Sequence, residues 1–170
     1  MDFTRYIRDV PDFPQEGIVF KDITPLLSAP KAFRATIDTF ANHYRDRNID
    51  VVVGIDARGF IFAAGLAYQL GVGLVPVRKS GKLPYKTIEE SYDLEYGSNT
   101  LAIHQDAIAP GTSVVICDDV IATGGTLTAT VSLVEKLGGQ VVSIAALIEL
   151  TFLNGRRHFV DYDIYSLIEF

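Results

Sequence analysis

Two adjacent carboxylates and a run of small residues lie close together in the middle of the chain. Residues 114–126 read VVICDDVIATGGT, in which an apolar run leads into Asp118 and Asp119 and then into the loop 122–126. Glycine N–H groups and threonine hydroxyls, placed where a helix begins, bind phosphate readily. Two acids that project differently from the end of a strand can accept hydrogen bonds from two neighbouring hydroxyls, such as those of a ribose. The pattern therefore indicates a ribose 5-phosphate site.

Each half of this motif also has a simple structural explanation. A Gly-Gly pair between a strand and a helix can be only a tight turn, and adjacent acids can be a solvated strand end. The better-known phosphate motifs are absent from the sequence, since it has no GxxxxGK[ST] and no GxGxxG after a strand. The order of acids and glycine loop, directly after an apolar strand, is what favours binding.

The composition predicts one globular domain, residues 1–170. Chains of this length bury about two thirds of their unfolded surface, and 48% of the residues here are hydrophobic. The net charge of −6 argues against a general binder of nucleic acid or anionic membranes. A single cysteine, Cys117, excludes an internal disulfide and predicts a reducing, cytoplasmic location. Because Cys117 lies in the apolar strand, we expect it in the core and not as a nucleophile.

The first residues and the stretch 59–77 are the two segments that bear on secretion or membrane insertion. The first residues lack the apolar stretch of a secretory signal. Residues 59–77 are an uncharged stretch of 19 residues, which is long enough to span a membrane. Gly71, Gly73 and Pro76 nevertheless predict a helix, a turn and a strand in this stretch. We therefore expect small molecules as partners, and neither nucleic acid nor membrane.

The spacing of apolar residues predicts alternating strands and helices. The predicted helices are a short one up to about residue 9 and longer ones at 33–44, 61–70 and 127–137; the predicted strands are 51–55, 74–77, 114–116, 141–150 and 164–168. Such alternation implies an α/β fold with a parallel sheet and helices on both faces. Ligands of these sheets bind at the carboxyl ends of the strands.

Residues 80–99 do not follow this pattern. They are polar, have no helical period and show only a weak alternation near their end. Structureless segments of this length are unusual inside compact domains and are often lids over a site. We therefore predict a flexible catalytic lid over 80–99, with a surface hairpin of no function as the alternative.

Five further motifs accompany the glycine loop. They are PDFPQEGIVFKDITPLL from Pro11, DARGF from Asp56, RKSGKLP from Arg78, LEYG from Leu94 and IELTFLNGR from Ile148. In this order, and over nearly the whole chain, the set resembles the type I phosphoribosyltransferases, and the first motif and LEYG resemble the members that use adenine. The resemblance implies a parallel-sheet core flanked by helices, with a flexible lid or hood.

The same resemblance implies a reaction and a role for individual residues. The reaction is transfer of the 5-phosphoribosyl group from phosphoribosyl pyrophosphate to adenine N9, which gives AMP and pyrophosphate in purine salvage. The implied phosphoribosyl-binding residues are Asp118 and Asp119 for the ribose and Ala122, Thr123, Gly124, Gly125 and Thr126 for the 5-phosphate. The implied pyrophosphate-binding residues are Arg58, Arg78, Lys79, Lys82 and Tyr96, of which a second subunit of a homodimer could donate Arg78 and Lys79.

The resemblance also assigns the base site and the catalytic acid or base. Adenine is expected to stack on Phe20 and to meet the backbone of Val19 and Lys21, within a base-binding segment at residues 1–30. Many family members have arginine where Lys21 stands, a change that recognition through the backbone tolerates. By the same resemblance, Glu95 matches the residue of the family that is proposed to act as general acid or base on the purine. Mg²⁺ is expected to arrive on the substrate pyrophosphate with few or no protein ligands, since it keeps waters and favours phosphate oxygens.

Three other functions share part of this evidence. A sister enzyme for hypoxanthine, guanine, xanthine, uracil or orotate would have the same glycine loop and different base-binding residues. A regulatory module that senses phosphoribosyl pyrophosphate or purines would need a basic DNA-binding segment, and none is visible in the sequence. A pseudoenzyme that only supports oligomerisation would not need the acid pair, the basic clamp and Glu95 together.

Overall fold

A computed structural model describes residues 1–93 and 98–170 as strands and helices in alternation. The strands of this part are β1 Arg8–Pro11, β2 Val19–Asp22, β3 Val51–Ile55, β4 Gly73–Lys79, β5 Thr87–Asp93, β6 Ser98–His104, β7 Ser113–Ile121, β8 Gln140–Glu149 and β9 Asp163–Glu169. The α-helices are α1 Thr24–Ser28, α2 Pro30–Tyr44, α3 Gly59–Leu70 and α4 Gly125–Lys136, and 3₁₀ turns cover Phe3–Tyr6, Thr151–Leu153 and Gly155–Phe159.

The main sheet has the strand order β5-β6-β4-β3-β7-β8-β9. Strands β4, β3, β7, β8 and β9 run parallel, which confirms the predicted parallel sheet, whereas β6 joins β4 antiparallel. In the centre Val53 of β3 pairs with Ile116 of β7. The carboxyl ends of β3 and β7 are therefore neighbours, and the residues that follow them meet at one edge of the sheet.

Helices cover both faces of this sheet, as the alternation predicted. On one face α2 and α3 pack against the strands through a buried cluster that includes Phe40, Phe62 and Leu66. On the other face α4 packs through Leu127 and Leu133. Burial on both faces explains why β3 is an unbroken apolar run and not an alternating one.

A hairpin lies at the edge of the sheet, where it was predicted only as the alternative to a structureless lid. Residues 80–99 are not structureless, because β5 and the start of β6 lie within them and pair antiparallel. In β5, Ile88 and Tyr92 face the core and are partly buried, while Glu89 and Ser91 are exposed. A strand covered on one face only has this polar alternation, which hid it in the sequence. The lid function itself stays a prediction.

Three smaller differences from the predicted elements concern β7, the β1–β2 hairpin and the first helix. Strand β7 continues through the acid pair to Ile121, so the acids do not terminate it as expected. Strands β1 and β2 form a small antiparallel hairpin that was not predicted, and the expected first helix is a single 3₁₀ turn.

The stretch 59–77 folds as α3 and part of β4, and within the described residues no helix is both long and apolar enough to span a membrane.

The packing of α2 gives a first test of the fold. Phe40 is fully buried between α2 and the sheet, so we expect Phe40→Ala to lower the free energy of unfolding by about 3–5 kcal/mol. Phe152→Ala is the matched control, because that ring is 70% exposed. Urea unfolding followed by circular dichroism measures both. A loss at position 40 no greater than at position 152 would contradict this packing.

Candidate active site

A cleft of about 350 Å³ opens where β3 and β7 end, a volume typical of small-molecule sites. Its walls combine the residues after β3, the acid pair of β7 and the loop that leads into α4. The lining residues are Ile55, Asp56, Ala57, Arg58, Asp118, Asp119, Val120, Ala122, Thr123, Gly124, Gly125, Thr126 and Leu127. The structure thus brings together the predicted phosphoribosyl-binding residues and Arg58.

The acid pair lies at the floor of the cleft and is almost fully buried. Asp118 is 9% exposed and Asp119 is 5% exposed. Asp118 Oδ1 accepts a hydrogen bond of 2.8 Å from the backbone N–H of Asp119. Helix α3 comes so close that a Cβ on Gly59 would stand 2.7 Å from the same Oδ1, so only glycine fits there. The carboxylates are therefore held between β7 and α3.

Arg58 is the cation that faces this pair. Its Nε lies 2.9 Å from Asp119 Oδ2, yet no hydrogen bond forms between them because the N–H is misaligned with that oxygen. Asp119 Oδ2 is therefore a buried oxygen without a donor in the described part of the chain. A ligand hydroxyl could satisfy it. The guanidinium carbon also lies 4.8 Å from the centre of the Phe20 ring, so Arg58 links the acids to the predicted base-binding segment.

Burial controls the ionisation of the groups on β7. It raises the pKa of Asp118 well above the usual range, and the neighbouring charge of Asp119 raises it further. It also raises the pKa of Asp119, which the Arg58 guanidinium opposes. Burial raises the pKa of the Cys117 thiol as well. Cys117 is fully buried, so it belongs to the core as expected and not to the catalytic groups.

The glycine loop presents the start of α4 to the cleft. Gly124 precedes the helix with a φ of +94°, a conformation that favours glycine, and no side chain caps the first turn. The first N–H groups of α4 therefore lack the usual side-chain acceptor. Because they lie at the positive end of the helix dipole, they suit an anion such as phosphate.

A second layer behind the cleft holds this loop. Gly155 packs so tightly that a Cβ there would stand 2.2 Å from the carbonyl oxygen of Ala122. The turn that carries Gly155 is tied to the sheet by Arg156, whose Nε donates to Glu149 Oε1 at 2.9 Å. Ser166 also donates to Glu149, at 3.0 Å, so that this buried carboxylate is well paired. The hydrogen bond from Arg156 lowers the pKa of Glu149 and keeps it charged.

The base-binding segment lies beside Arg58. Phe20 is half-buried on β2 and meets the edge of the Phe13 ring, with 5.2 Å between ring centres. Val19 is 47% exposed. The Lys21 ammonium lies 2.7 Å from Asp9 Oδ1 and 3.9 Å from the centre of the Phe170 ring. The Lys21 side chain is thus engaged with the protein.

Arg78, Lys79 and Lys82, which were also predicted to bind pyrophosphate, do not line the cleft. Arg78 is paired with Asp56, at 2.9 Å, and donates to the carbonyl of Lys82, at 3.2 Å. Lys79 and Lys82 are exposed. Among the described residues, only Arg58 of the predicted clamp lines the cleft. Glu95 and Tyr96 lie outside the described residues.

Four residues with a structural part in the site were missed. Asp56 and Ala57 line the cleft, and their position directly after a buried strand, next to Arg58, was an available signal. Gly155 supports the loop from behind, which no local pattern reveals because its partner Ala122 is distant in sequence. Tyr92 reaches Thr126 from β5, and it was hidden with the rest of the hairpin.

Comparison with known proteins agrees with this geometry. The phosphoribosyl transferase domain family matches residues 22–169. The adenine phosphoribosyltransferase of Thermotoga petrophila is 57% identical over 168 residues, which is 99% of each chain. The crystal structure of adenine phosphoribosyltransferase from Thermoanaerobacter pseudethanolicus superposes with a TM-score of 0.96 at 54% identity, over 99% of this chain and 98% of the other.

A further similar structure is that of the Saccharomyces cerevisiae adenine phosphoribosyltransferase complexed with adenine and an imino-altritol bisphosphate. It has a TM-score of 0.93 at 40% identity, and the match covers 98% of this chain and 96% of the other. The chain belongs to the phosphoribosyltransferase family. Its full-length relatives place it among the adenine-using enzymes of that family, as the resemblance predicted. These relatives favour an enzyme over a regulatory module or a pseudoenzyme.

Because the acids are buried, we expect Asp118→Asn to raise the stability of the protein and to lower its activity. Asp118→Asn removes a charge that is costly to bury and keeps an oxygen for the Asp119 N–H. Since the folded pKa of Asp118 is raised, the wild type loses stability as the pH rises above about 4, and the variant avoids that loss. We expect the variant to have the higher melting temperature at pH 8, a gap that closes toward pH 4, and a kcat/KM lower on the order of 10²-fold.

Calorimetric melting of the ligand-free protein across this pH range measures the effect. The exposed Asp106→Asn controls for the removal of one negative charge. A variant less stable than the wild type at pH 8 would show that the pair is needed for folding rather than for binding.

Proposed function

We propose that the cleft transfers the 5-phosphoribosyl group of phosphoribosyl pyrophosphate to adenine N9 and releases AMP and pyrophosphate. The observation that carries this is one cleft with a buried acid pair, an uncapped helix start and Arg58 beside Phe20. The adenine bound to the yeast relative supports the choice of base.

The sugar phosphate would occupy the deep part of the cleft. Asp118 and Asp119 accept hydrogen bonds from the ribose hydroxyls, for which Asp119 Oδ2, ion-paired with Arg58 but without a hydrogen-bond donor among the described residues, is an acceptor. Residues 122–126 receive the 5-phosphate at the start of α4. This placement of the ribose and the phosphate is electrostatically favourable, because the acids face neutral hydroxyls and the N–H groups face the charged phosphate.

Adenine would lie on the side of the cleft formed by β2. Phe20 offers its ring for stacking, and the backbone of Val19 and Lys21 offers an acceptor for the exocyclic amine and a donor for the adjacent ring nitrogen. A 6-oxo purine presents the opposite pattern and would leave these groups unpaired. The paired Lys21 side chain supports recognition through the backbone.

In the reaction N9 forms a bond to C1′ while the C1′–O bond breaks and pyrophosphate leaves with the electron pair. Positive charge develops on the sugar, and the Asp118–Asp119 pair beneath it stabilises that charge. Arg58 binds the leaving pyrophosphate, with Arg78, Lys79, Lys82 and Tyr96 as further contributors. Glu95 takes the N9 proton, most effectively late, when the departure of pyrophosphate has made N9 more acidic.

Mg²⁺ would enter as part of the substrate, bound to its pyrophosphate. In the described residues no three His, Cys, Asp or Glu side chains lie close enough together to bind a metal directly. The acid pair still fits a magnesium-bound substrate, since a buried oxygen without a donor can accept from a metal-bound water. When bound, the ion supplies neutralising charge for the leaving group.

We also infer a homodimer in the cytoplasm. Ile61 and Tyr68 of α3 and Leu74 of β4 are apolar and 36%, 86% and 43% exposed, an arrangement that favours contact with a second copy. Arg78 and Lys79 follow on the same β4 strand, so a second copy on this face would bring them toward a neighbouring cleft. Cys117 is unpaired and buried, in keeping with a reducing compartment.

Base selectivity tests the proposed reaction. We expect kcat/KM for adenine to exceed that for hypoxanthine and guanine by at least about 10³-fold, since a mismatched edge leaves buried polar groups unpaired. Release of pyrophosphate from phosphoribosyl pyrophosphate and Mg²⁺, measured over a panel of bases, gives the ratio. Comparable turnover of hypoxanthine would reject adenine as the substrate and leave the phosphoribosyl site standing.

The role of Glu95 needs a separate measurement. Glu95→Gln should lower kcat by about 10²-fold or more, because it removes the group that takes the N9 proton. The Kd of phosphoribosyl pyrophosphate, held by residues 118–126, should change by no more than a few fold. Glu89→Gln, an exposed acid on β5, is the control. A normal kcat in Glu95→Gln would end its assignment as the general acid or base.

A further inference from the structure

Tyr92 connects the edge hairpin with the glycine loop. The Thr126 hydroxyl donates a hydrogen bond of 3.0 Å to the Tyr92 hydroxyl, and Thr126 lines the cleft at the first turn of α4. Tyr92 itself is half-buried and packs against the core beneath that helix. It therefore reaches the proposed phosphate site through one threonine, from a different part of the chain.

Strand β5 is held along α4 at a second point. Lys136, at the end of α4, forms an ion pair with Glu90 of β5. The hydrogen bond from Lys136 lowers the pKa of Glu90, which favours the charged carboxylate. Strand β5 therefore contacts α4 near both ends of the helix, through Tyr92 at Thr126 and through Glu90 at Lys136.

The direction of this hydrogen bond matters for phosphate binding. Thr126 has a single hydroxyl hydrogen, and without ligand it is given to Tyr92. A phosphate oxygen accepts and cannot donate, so binding requires that hydrogen to turn toward the phosphate. Thr126 Oγ1 can then accept from the Tyr92 hydroxyl in return. The two bonds run in one direction, from Tyr92 to Thr126 to phosphate, and strengthen each other.

We propose that Tyr92 is a positioning residue for the 5-phosphate, which holds the Thr126 hydroxyl in place and changes from acceptor to donor when phosphate binds. This rests on the proposed function, in which Thr126 binds the 5-phosphate. Because Tyr92 belongs to the hairpin of β5 and β6, the same hydrogen bond joins that hairpin to an occupied phosphate site.

Tyr92→Phe tests this with little change in shape. Loss of one such hydrogen bond should raise the Kd of ribose 5-phosphate by about 3- to 10-fold, measured by calorimetry. The Kd of adenine and the melting temperature should not change, and the KM of phosphoribosyl pyrophosphate should rise while kcat stays within about twofold. Tyr162→Phe is the matched control, because the Tyr162 hydroxyl donates to Glu135 of the same helix, at 2.7 Å, away from the loop.

A double-mutant cycle with Thr126→Val separates positioning from a general effect. Once the Thr126 hydroxyl is gone, Tyr92→Phe should weaken ribose 5-phosphate binding no further. Additive losses, or a Tyr92→Phe protein that binds as the wild type does, would overturn the role of Tyr92 alone. A wild-type protein that binds no ribose 5-phosphate would overturn the proposed phosphate site and this inference together.

Discussion

Two like charges buried side by side at the end of a central strand are the constraint on which the rest of the structure depends. Asp118 and Asp119 repel each other and are separated from water, and Arg58 compensates only one of them, without a hydrogen bond. The surrounding scaffold must therefore be stable enough to hold them. It supplies that stability through a sheet packed on both faces, and Gly59 lets α3 close over the pair. Within the described residues, Asp119 Oδ2 is left without a hydrogen-bond donor, and the proposed ribose hydroxyl would supply one.

Much of the parallel core could be predicted because its sequence signals are local. A strand covered on both faces must be apolar throughout, so β3 and the apolar start of β7 stand out. The helical period of α2 is visible in the residues from Phe33 to Tyr44, of which Phe40 and Tyr44 are fully buried. The hairpin of β5 and β6 was predicted only as an alternative to a lid, because its polar exposed face obscured the strand pattern. Its pairing depends on a partner strand that no local pattern identifies.

The same distinction applies to the candidate site. The acid pair and the loop 122–126 form one continuous stretch of sequence, which made them visible, whereas of the residues after β3 only Arg58 was assigned to the site. Supports that come from elsewhere were not predictable: Gly155 behind Ala122, and Tyr92 beside Thr126, are close only after folding. The ion pairs of Arg78 with Asp56 and of Lys21 with Asp9 were likewise invisible, since each joins separate strands or loops.

The hairpin also determines how copies of this protein can meet. Strand β5 is an edge of the sheet, and an exposed edge is a template on which another chain can add a strand and begin to aggregate. Here that edge carries Glu89 and Glu90 in succession, so a second β5 laid against it would bring acids close to acids. Growth of the sheet from one molecule into the next is thereby discouraged on this side.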